Sequence, residues 1–234
     1  MTKDTQEIKA PRVLFFGKNN CQYSQKILEH LIHLGFDVES ILSTNRQEQL
    51  PEDIGWWQGD YIICFRSYFL IPKSLLDRAQ IAAINFHPAP TEYPGSGCLN
   101  WALYDNAEIY GVTAHIMNEK IDNGQIVECR RFPILPQDNV KTLLGRAHLK
   151  TCDLAIDITT GLALEGKTFL EKKLNESENE KWVGNARKMY EMDKLQTINL
   201  DCSKEELERV IRATYTPDFP PEIHLHGYKF SLNL

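Results

Sequence analysis

The spacing of hydrophobic and polar positions changes repeatedly along this chain. "RVLFFG" (residues 12–17) is a short apolar run closed by glycine, the pattern of a buried strand. From about Asn20 to His33, Ile27, Leu28, Leu31, Ile32 and the following Leu34 make one stripe at helical spacing, and Gly35 supplies a stop. "FDVESIL" (36–42) alternates as a second strand, "DYIICF" (60–65) reads as a third and "IAAINFH" (81–87) as a fourth. A helix is expected from about Cys98 to Asn106, then a strand over "YGVTAHIM" (110–117). The Asp-Asn-Gly of "NEKIDNG" suits a tight reversal into "QIVECRRFPIL" (125–135), and a long helix is expected from about Asn139 to Leu164. Strands alternating with helices predict an α/β fold with a Rossmann-like, open, mostly parallel sheet whose ligands gather at the carboxyl ends of the strands.

The composition turns polar at "NESENE" (175–180), which divides the chain into a main domain, residues 1–175, and a C-terminal unit, residues 176–234. That unit is predicted to hold a helix over "SKEELERVIRAT", with Ser203 and Glu206 as a capping box, a turn at "TPDFPP", and a hairpin formed by "EIHLHG" and "YKFSLNL". A hairpin with an apolar face is marginal alone, so the main domain or a second copy of the chain is expected to cover it.

The 234 residues carry 26 basic and 32 acidic side chains, net −6, with no basic stripe. This balance argues against nucleic acid as a partner, because such binding rests on neutralising phosphates. The apolar runs fall well short of the ~20 residues a bilayer span needs, so no membrane association is expected. The start, "MTKDTQEIKAPR", is polar and frayed in expectation, without an apolar signal core. Six cysteines lie apart with no C-x-x-C pair, which suggests reduced thiols, a cytoplasmic protein, and neither disulfides nor zinc. His224 and His226 share a strand face but lack a third ligand, and a metal held by His87, His115 and Asp122 lacks an H-E-x-x-H or cysteine cluster, so no metal is expected.

Candidate chemistry concentrates at "INFHPAPTEYPGSG" (84–97). In an extended chain Asn85 and His87 point the same way at the strand's end, and Pro88 keeps His87 extended. The loop beyond is stiff at Pro88, Pro90 and Pro94 and permissive at Gly95 and Gly97, giving a backbone room to pass close to an acceptor. A strand end with a turn accounts for this segment alone; Asp122, in "KIDNGQIV", changes that reading. A carboxylate bonded to one imidazole nitrogen fixes its tautomer and leaves the other nitrogen free to move a proton. An amide such as Asn85 donates to an oxygen that becomes negative in a transition state. Together, Asn85, His87 and Asp122 describe acyl transfer to an external nucleophile, with His115 a neighbour of the site or a satisfied core histidine.

Three motifs in order, Asn85 with His87, Gly111 with Thr113 and His115, and Asp122 with Gly124 and Ile126, resemble those of the folate-dependent formyltransferases, over about residues 12–170. The resemblance implies 10-formyltetrahydrofolate as formyl donor, no metal, and Asn85, His87 and Asp122 as the catalytic trio. It implies that the pterin lies against the backbone of Phe65, Arg66, Ser67, Tyr68, Phe69 and Leu70, and against Asn118, Lys120 and Ile121 before Asp122.

Within the family, the glycinamide ribonucleotide branch needs a glycine- and serine-rich phosphate loop where this chain reads "FFGKNNCQYSQ". The methionyl-tRNA branch carries a further basic domain, and this chain is shorter and acidic. Formyltetrahydrofolate hydrolases have an extra N-terminal regulatory domain. The "IRATYTP…FPP…HGYKF" pattern (211–230) is similar to that of sugar N-formyltransferases. This implies a nucleotide-linked substrate, a dTDP-4-amino-4,6-dideoxyhexose or its 3-amino isomer for lipopolysaccharide O-antigen, and a homodimer joined through the C-terminal unit. Lys18, Lys73, Arg187 and Lys188 are then candidates for the diphosphate, and Tyr93, Tyr190 and Trp101 for stacking on the base, against the plainer roles of solvated helix face and ordinary packing. A non-catalytic Rossmann-like binding module is the alternative, disfavoured because "GKNNCQ" has no G-x-G-x-x-G.

Overall fold

Leu14, Phe15 and Phe16 are all fully buried although they alternate between faces, so the first apolar run sits inside a sheet covered on both sides. A computed structural model describes residues 10–233; the polar first nine residues, the region of the expected frayed start, lie outside the described residues, as does Leu234. The sheet's six strands are β1 (Arg12–Lys18), β2 (Asp37–Ser43), β3 (Gly59–Phe65), β4 (Ala79–His87), β5 (Ile109–Ile116) and β6 (Ile126–Pro133), in the order β2-β1-β3-β4-β5-β6. The first four are mutually parallel and β5 alone runs against its neighbours, which makes the open, mostly parallel α/β sheet expected.

One face packs Phe15, Ile63, Ile84 and Val112 against α1 (Gln22–His33) and α4 (Val140–Glu165). The other packs Phe16, Ile62 and Cys64 against Trp57, Phe69 and Leu75, the last from the short α2 (Lys73–Leu76). Each large side chain buried in this way contributes about 1.5–3 kcal/mol. A third cluster joins α3 (Cys98–Tyr104) to Tyr110, Leu143 and Ala213.

Two helices escape the hydrophobic pattern. After Gly166, whose φ of 57° breaks the helical path, α5 (Lys167–Glu176) buries only Leu170 and is laced by Lys167–Glu171 and Lys172–Glu176 pairs. The eight-residue α6 (Met189–Gln196) buries Met192 and Leu195, too few positions to show a period. The 117–125 connection is also longer than a tight reversal. Ile116 N–H donates to the Gln125 carbonyl at 2.8 Å, and Asp122 stands inside that loop with φ of 44°.

The C-terminal helix α7 (Lys204–Thr214) buries Val210, Ala213 and Thr214 and packs on α3 and α4. Half of its predicted capping box forms: Ser203 Oγ accepts from Glu206 N–H at 3.2 Å, while the Glu206 carboxylate accepts from Tyr104 Oη–H at 2.7 Å. Strands β7 (Glu222–Leu225) and β8 (Tyr228–Ser231) form the expected hairpin, turned by His226 and Gly227, both at positive φ. Leu225, Tyr228 and Phe230 of this hairpin are exposed, as is Phe219 before it. Among the described residues no helix is long and apolar enough to cross a membrane.

Candidate active site

Register places the site. Strand β4 runs antiparallel to β5 with Asn85 opposite His115 and His87 opposite Thr113, so strand alternation puts Asn85, His87 and His115 on one face. The Asn85 amide nitrogen lies 3.1 Å from His115 Nε2. Beyond His87 the chain is pinned by Tyr110 Oη–H, which donates to the Pro88 carbonyl at 3.0 Å, and by Thr113 Oγ1–H, which donates to the Ala89 carbonyl at 2.8 Å.

Asp122, 8% exposed, reaches between the two imidazoles. Its Oδ2 is 3.3 Å from His87 Nδ1 and its Oδ1 is 3.3 Å from His115 Nε2. Gly95 N–H donates to Oδ2 at 2.8 Å. Burial by itself raises this carboxyl, but the charge of His87, the hydrogen bond and charge of His115, and the Gly95 amide outweigh it and hold Asp122 at about 2. Two glycines make the arrangement possible. Gly95 has φ of 86° and lies against the Arg187 backbone. A Cβ on Gly124 would sit 1.7 Å from the Ile116 carbonyl oxygen. Gly124→Ala is therefore expected to displace the Asp122 turn and to destabilise the fold by about 2 kcal/mol or more, read as a lowered thermal midpoint.

His87 Nε2 faces the Tyr93 carbonyl at 3.0 Å. Both of its ring nitrogens thus meet oxygen acceptors, an arrangement satisfied fully by an imidazolium donating twice. This corrects the expectation of a free second nitrogen: the Tyr93 carbonyl occupies it, and a proton moves through Nε2 only when that contact opens. His115 Nδ1 lies 2.9 Å from the Ile116 carbonyl. With that N–H donated, Nε2 accepts from the Asn85 amide when bare and donates to Asp122 when protonated.

The substrate candidates divide. Tyr93, Gly95, Gly97, Trp101 and Arg187 are neighbours of one another, and Gly95 ties the group to Asp122. Gly95 and Arg187 form a parallel bridge, Arg187 N–H donates to the Pro94 carbonyl at 3.1 Å, and Ser96 N–H donates to the Arg187 carbonyl at 2.8 Å. The Arg187 guanidinium lies 4.1 Å over the Trp101 ring, and its Nη1 is buried with no partner. Gly97, at φ of 69°, caps α3, and the Tyr93 ring packs on Tyr110 with its hydroxyl pushed up to about 12 by burial. Lys188 caps α6, its N–H donating to Glu191 Oε2 at 2.6 Å, and the exposed Tyr190 carries the Lys194 ammonium at 5.2 Å. Lys73 does not join them: its ammonium is paired with Asp77 at 2.6 Å, one turn along α2. Lys18 stands over the Tyr68 ring at 4.9 Å.

The folate candidates also divide. Phe65 and Phe69 are core residues, packed on Phe86 and Phe16, so their rings are unavailable to a ligand and only backbone remains. Arg66 has φ of 60°, Tyr68 N–H donates to Ser43 Oγ at 2.8 Å, and Phe69 N–H donates to Ser67 Oγ at 3.2 Å, which fixes the turn after β3. Leu70 and Ile121 are 79% and 58% exposed. Lys120 N–H donates to Asn118 Oδ1 at 2.8 Å and holds the neighbouring loop. Sequence reasoning missed Trp182, in the α5–α6 linker, whose ring contacts both histidines. Among the described residues no group of three or more His, Cys, Asp or Glu is placed to hold a metal.

A donor amide beside a doubly bonded imidazole and an ionised carboxylate, at the carboxyl end of an open α/β sheet, has the chemistry of acyl transfer through an oxyanion. Residues 12–158 match the Formyl transferase family, and the chain belongs to it. By sequence it is 31% identical over 142 residues to the methionyl-tRNA formyltransferase of Thermosynechococcus vestitus, covering 60% of this chain and 43% of that protein. It is 27% identical to that of Lachnospira eligens, covering 72% and 51%. The chain thus spans about half the length of these curated relatives. Its fold matches a sugar N-formyltransferase from Shewanella with a TM-score of 0.73 at 18% identity, over 96% of this chain and 97% of the other. It also matches the N-formyltransferase from Helicobacter canadensis, solved with folinic acid and dTDP-3-aminofucose, with a TM-score of 0.66 at 17% identity over 92% and 84%.

Proposed function

We propose that this protein transfers a formyl group from 10-formyltetrahydrofolate to the amine of a nucleotide-linked amino-dideoxy sugar, a dTDP-hexose destined for lipopolysaccharide O-antigen. The observation that carries formyl transfer is Asp122 shared between His87 and His115, with Asn85 beside them. The neutral amine attacks the formyl carbon, and the oxyanion accepts hydrogen bonds from the Asn85 amide and the His87 imidazolium. Collapse breaks the bond from carbon to the folate nitrogen. His87, turning from the Tyr93 carbonyl, delivers a proton to that nitrogen and regains one from the ammonium formed by the attack. The pterin rests against the 65–70 turn between Leu70 and Ile121, and Arg187, whose Nη1 lacks a partner, takes the diphosphate with Lys188.

Likeness of fold along nearly the whole chain, C-terminal unit included, supports a sugar acceptor. In this reading residues 1–175 form the catalytic domain, and residues 176–234 join two copies by covering Leu225, Tyr228 and Phe230. The names of the curated relatives favour a second reading, transfer to an aminoacyl-tRNA. One assay separates the two: the protein with 10-formyltetrahydrofolate and, in turn, a dTDP-4-amino sugar, its 3-amino isomer and methionyl-tRNA, following release of tetrahydrofolate. Release with one amino sugar and none with the tRNA is expected; the reverse pattern overturns the sugar reading.

A further inference from the structure

Trp182 lies beyond the segment that matches the family, yet it touches both histidines of the site and the turn that carries Asp122. Its ring stands edge-on to His115, with centroids 5.1 Å apart and planes at 88°, and to His87, at 5.8 Å and 67°. Its Nε1–H donates to the Gly124 carbonyl at 2.8 Å, two residues after Asp122. The indole is partly exposed and belongs to none of the three core clusters. The flanking chain is tied down on both sides. Val183 N–H donates to the Thr91 carbonyl at 2.9 Å, Thr91 Oγ1–H donates to Glu180 at 2.6 Å, and Arg131 joins Glu180 and Glu92. Those anchors sit in the loop that supplies the Tyr93 carbonyl to His87.

We propose that Trp182 is a positioning residue of the transfer site, holding His87 and His115 in the rotamers that share Asp122. This rests on the reading of those three residues as transfer machinery. Hydrogen bonds fix the ring nitrogens of His87 but leave the ring free to rock about the line joining its acceptors; the indole blocks that motion. Each edge-to-face pair favours the packed arrangement by a factor of roughly 2–10, and Trp182 makes two. The bond to Gly124 couples the same indole to the turn that carries the carboxylate.

The test compares the full-length protein with Trp182→Phe and Trp182→Leu by long-range ¹H–¹⁵N spectra of the imidazoles, thermal unfolding and steady-state kinetics. In Trp182→Leu the His87 and His115 signals are expected to lose their ring-current shifts and to broaden as the rings sample second rotamers. Turnover is expected to fall about 10-fold with the donor KM within about twofold, and Trp182→Phe, which keeps a ring, to recover most of both effects. Narrow imidazole signals with an unchanged tautomer pattern in Trp182→Leu overturn the proposal, as does turnover within twofold of the parent. Should Trp182→Leu not fold, Trp182→Met, another ring-free side chain of closer length, carries the same test, and narrow imidazole signals with the parent's tautomer pattern in that variant overturn the proposal. The spectra require no acceptor, so a protein that formylates neither sugar nor tRNA still shows whether Trp182 orders the two imidazoles, while refuting the proposed function.

Discussion

Replacing His87 with alanine is expected to lower formyl transfer by at least about 10²-fold, the usual worth of a positioned proton-transfer group. In the proposed mechanism the substitution removes the donor beside Asn85 and the group that moves the proton between the two nitrogens. Asn85 remains, still oriented by His115, so residual catalysis above the solution reaction is expected to persist. Asp122 keeps its contacts to His115 and to the Gly95 amide, so the variant is expected to remain folded. Single-turnover release of tetrahydrofolate measures the effect, with the thermal midpoint as the control for folding. Turnover within threefold of the parent removes His87 from the chemistry.

Asp122→Asn is expected to act on both rate and stability. An amide in place of the carboxylate stabilises no imidazolium and presents an N–H to one of the two histidines, and loss of the correct protonation state is expected to cost about 10²–10⁴ in turnover. The stability effect has a definite sign. Asp122 is held at about 2 in the fold against an ordinary value of 3.8. A depressed carboxyl stabilises the fold above its unfolded value and loses that contribution as pH falls from about 4 through about 2. The shift corresponds to about 2 kcal/mol. In urea titrations the parent is therefore expected to weaken across that acid window by about this amount more than Asp122→Asn does. Other ion-paired carboxylates, such as Glu128 and Glu180, are common to both proteins and cancel in the difference. Parallel pH curves for the two proteins contradict the assignment.

The sheet is legible in the chain because its strands are buried on one or both faces, so apolar runs and alternation both register. Asn85 and His87 are legible from alternation at a strand end, and Asp122 from its place in a turn between two strands. What escapes lacks such a signature. Helices α5 and α6 bury one and two residues respectively, too few for a period. The partner of His87 Nε2 is a backbone carbonyl, which any residue at position 93 supplies. Lys73 is a candidate by its charge, but composition does not reveal that Asp77, four residues on, already neutralises it. Phe65 and Phe69 are candidates by their place in the turn after β3, yet their side chains turn into the core. Trp182 belongs to a segment with no periodicity, and only the folded chain brings it over the histidines.

The bridge between Gly95 and Arg187 also bears on the order of events during synthesis. A nascent chain ending at the polar stretch near residue 176 already contains Asn85, His87, His115 and Asp122, and the sheet that aligns them. It lacks the amides and carbonyls of Val183 and Arg187 that fasten the 91–96 loop. That loop carries both the Tyr93 carbonyl and the Gly95 amide, and until the linker closes a loop of about ninety residues, an entropically costly step, it is held from outside by Arg131, which bonds Thr91 and Glu92, and by its own contacts to His87 and Asp122. The last backbone fastening of the charge cluster thus comes from the linker that leads into the C-terminal unit.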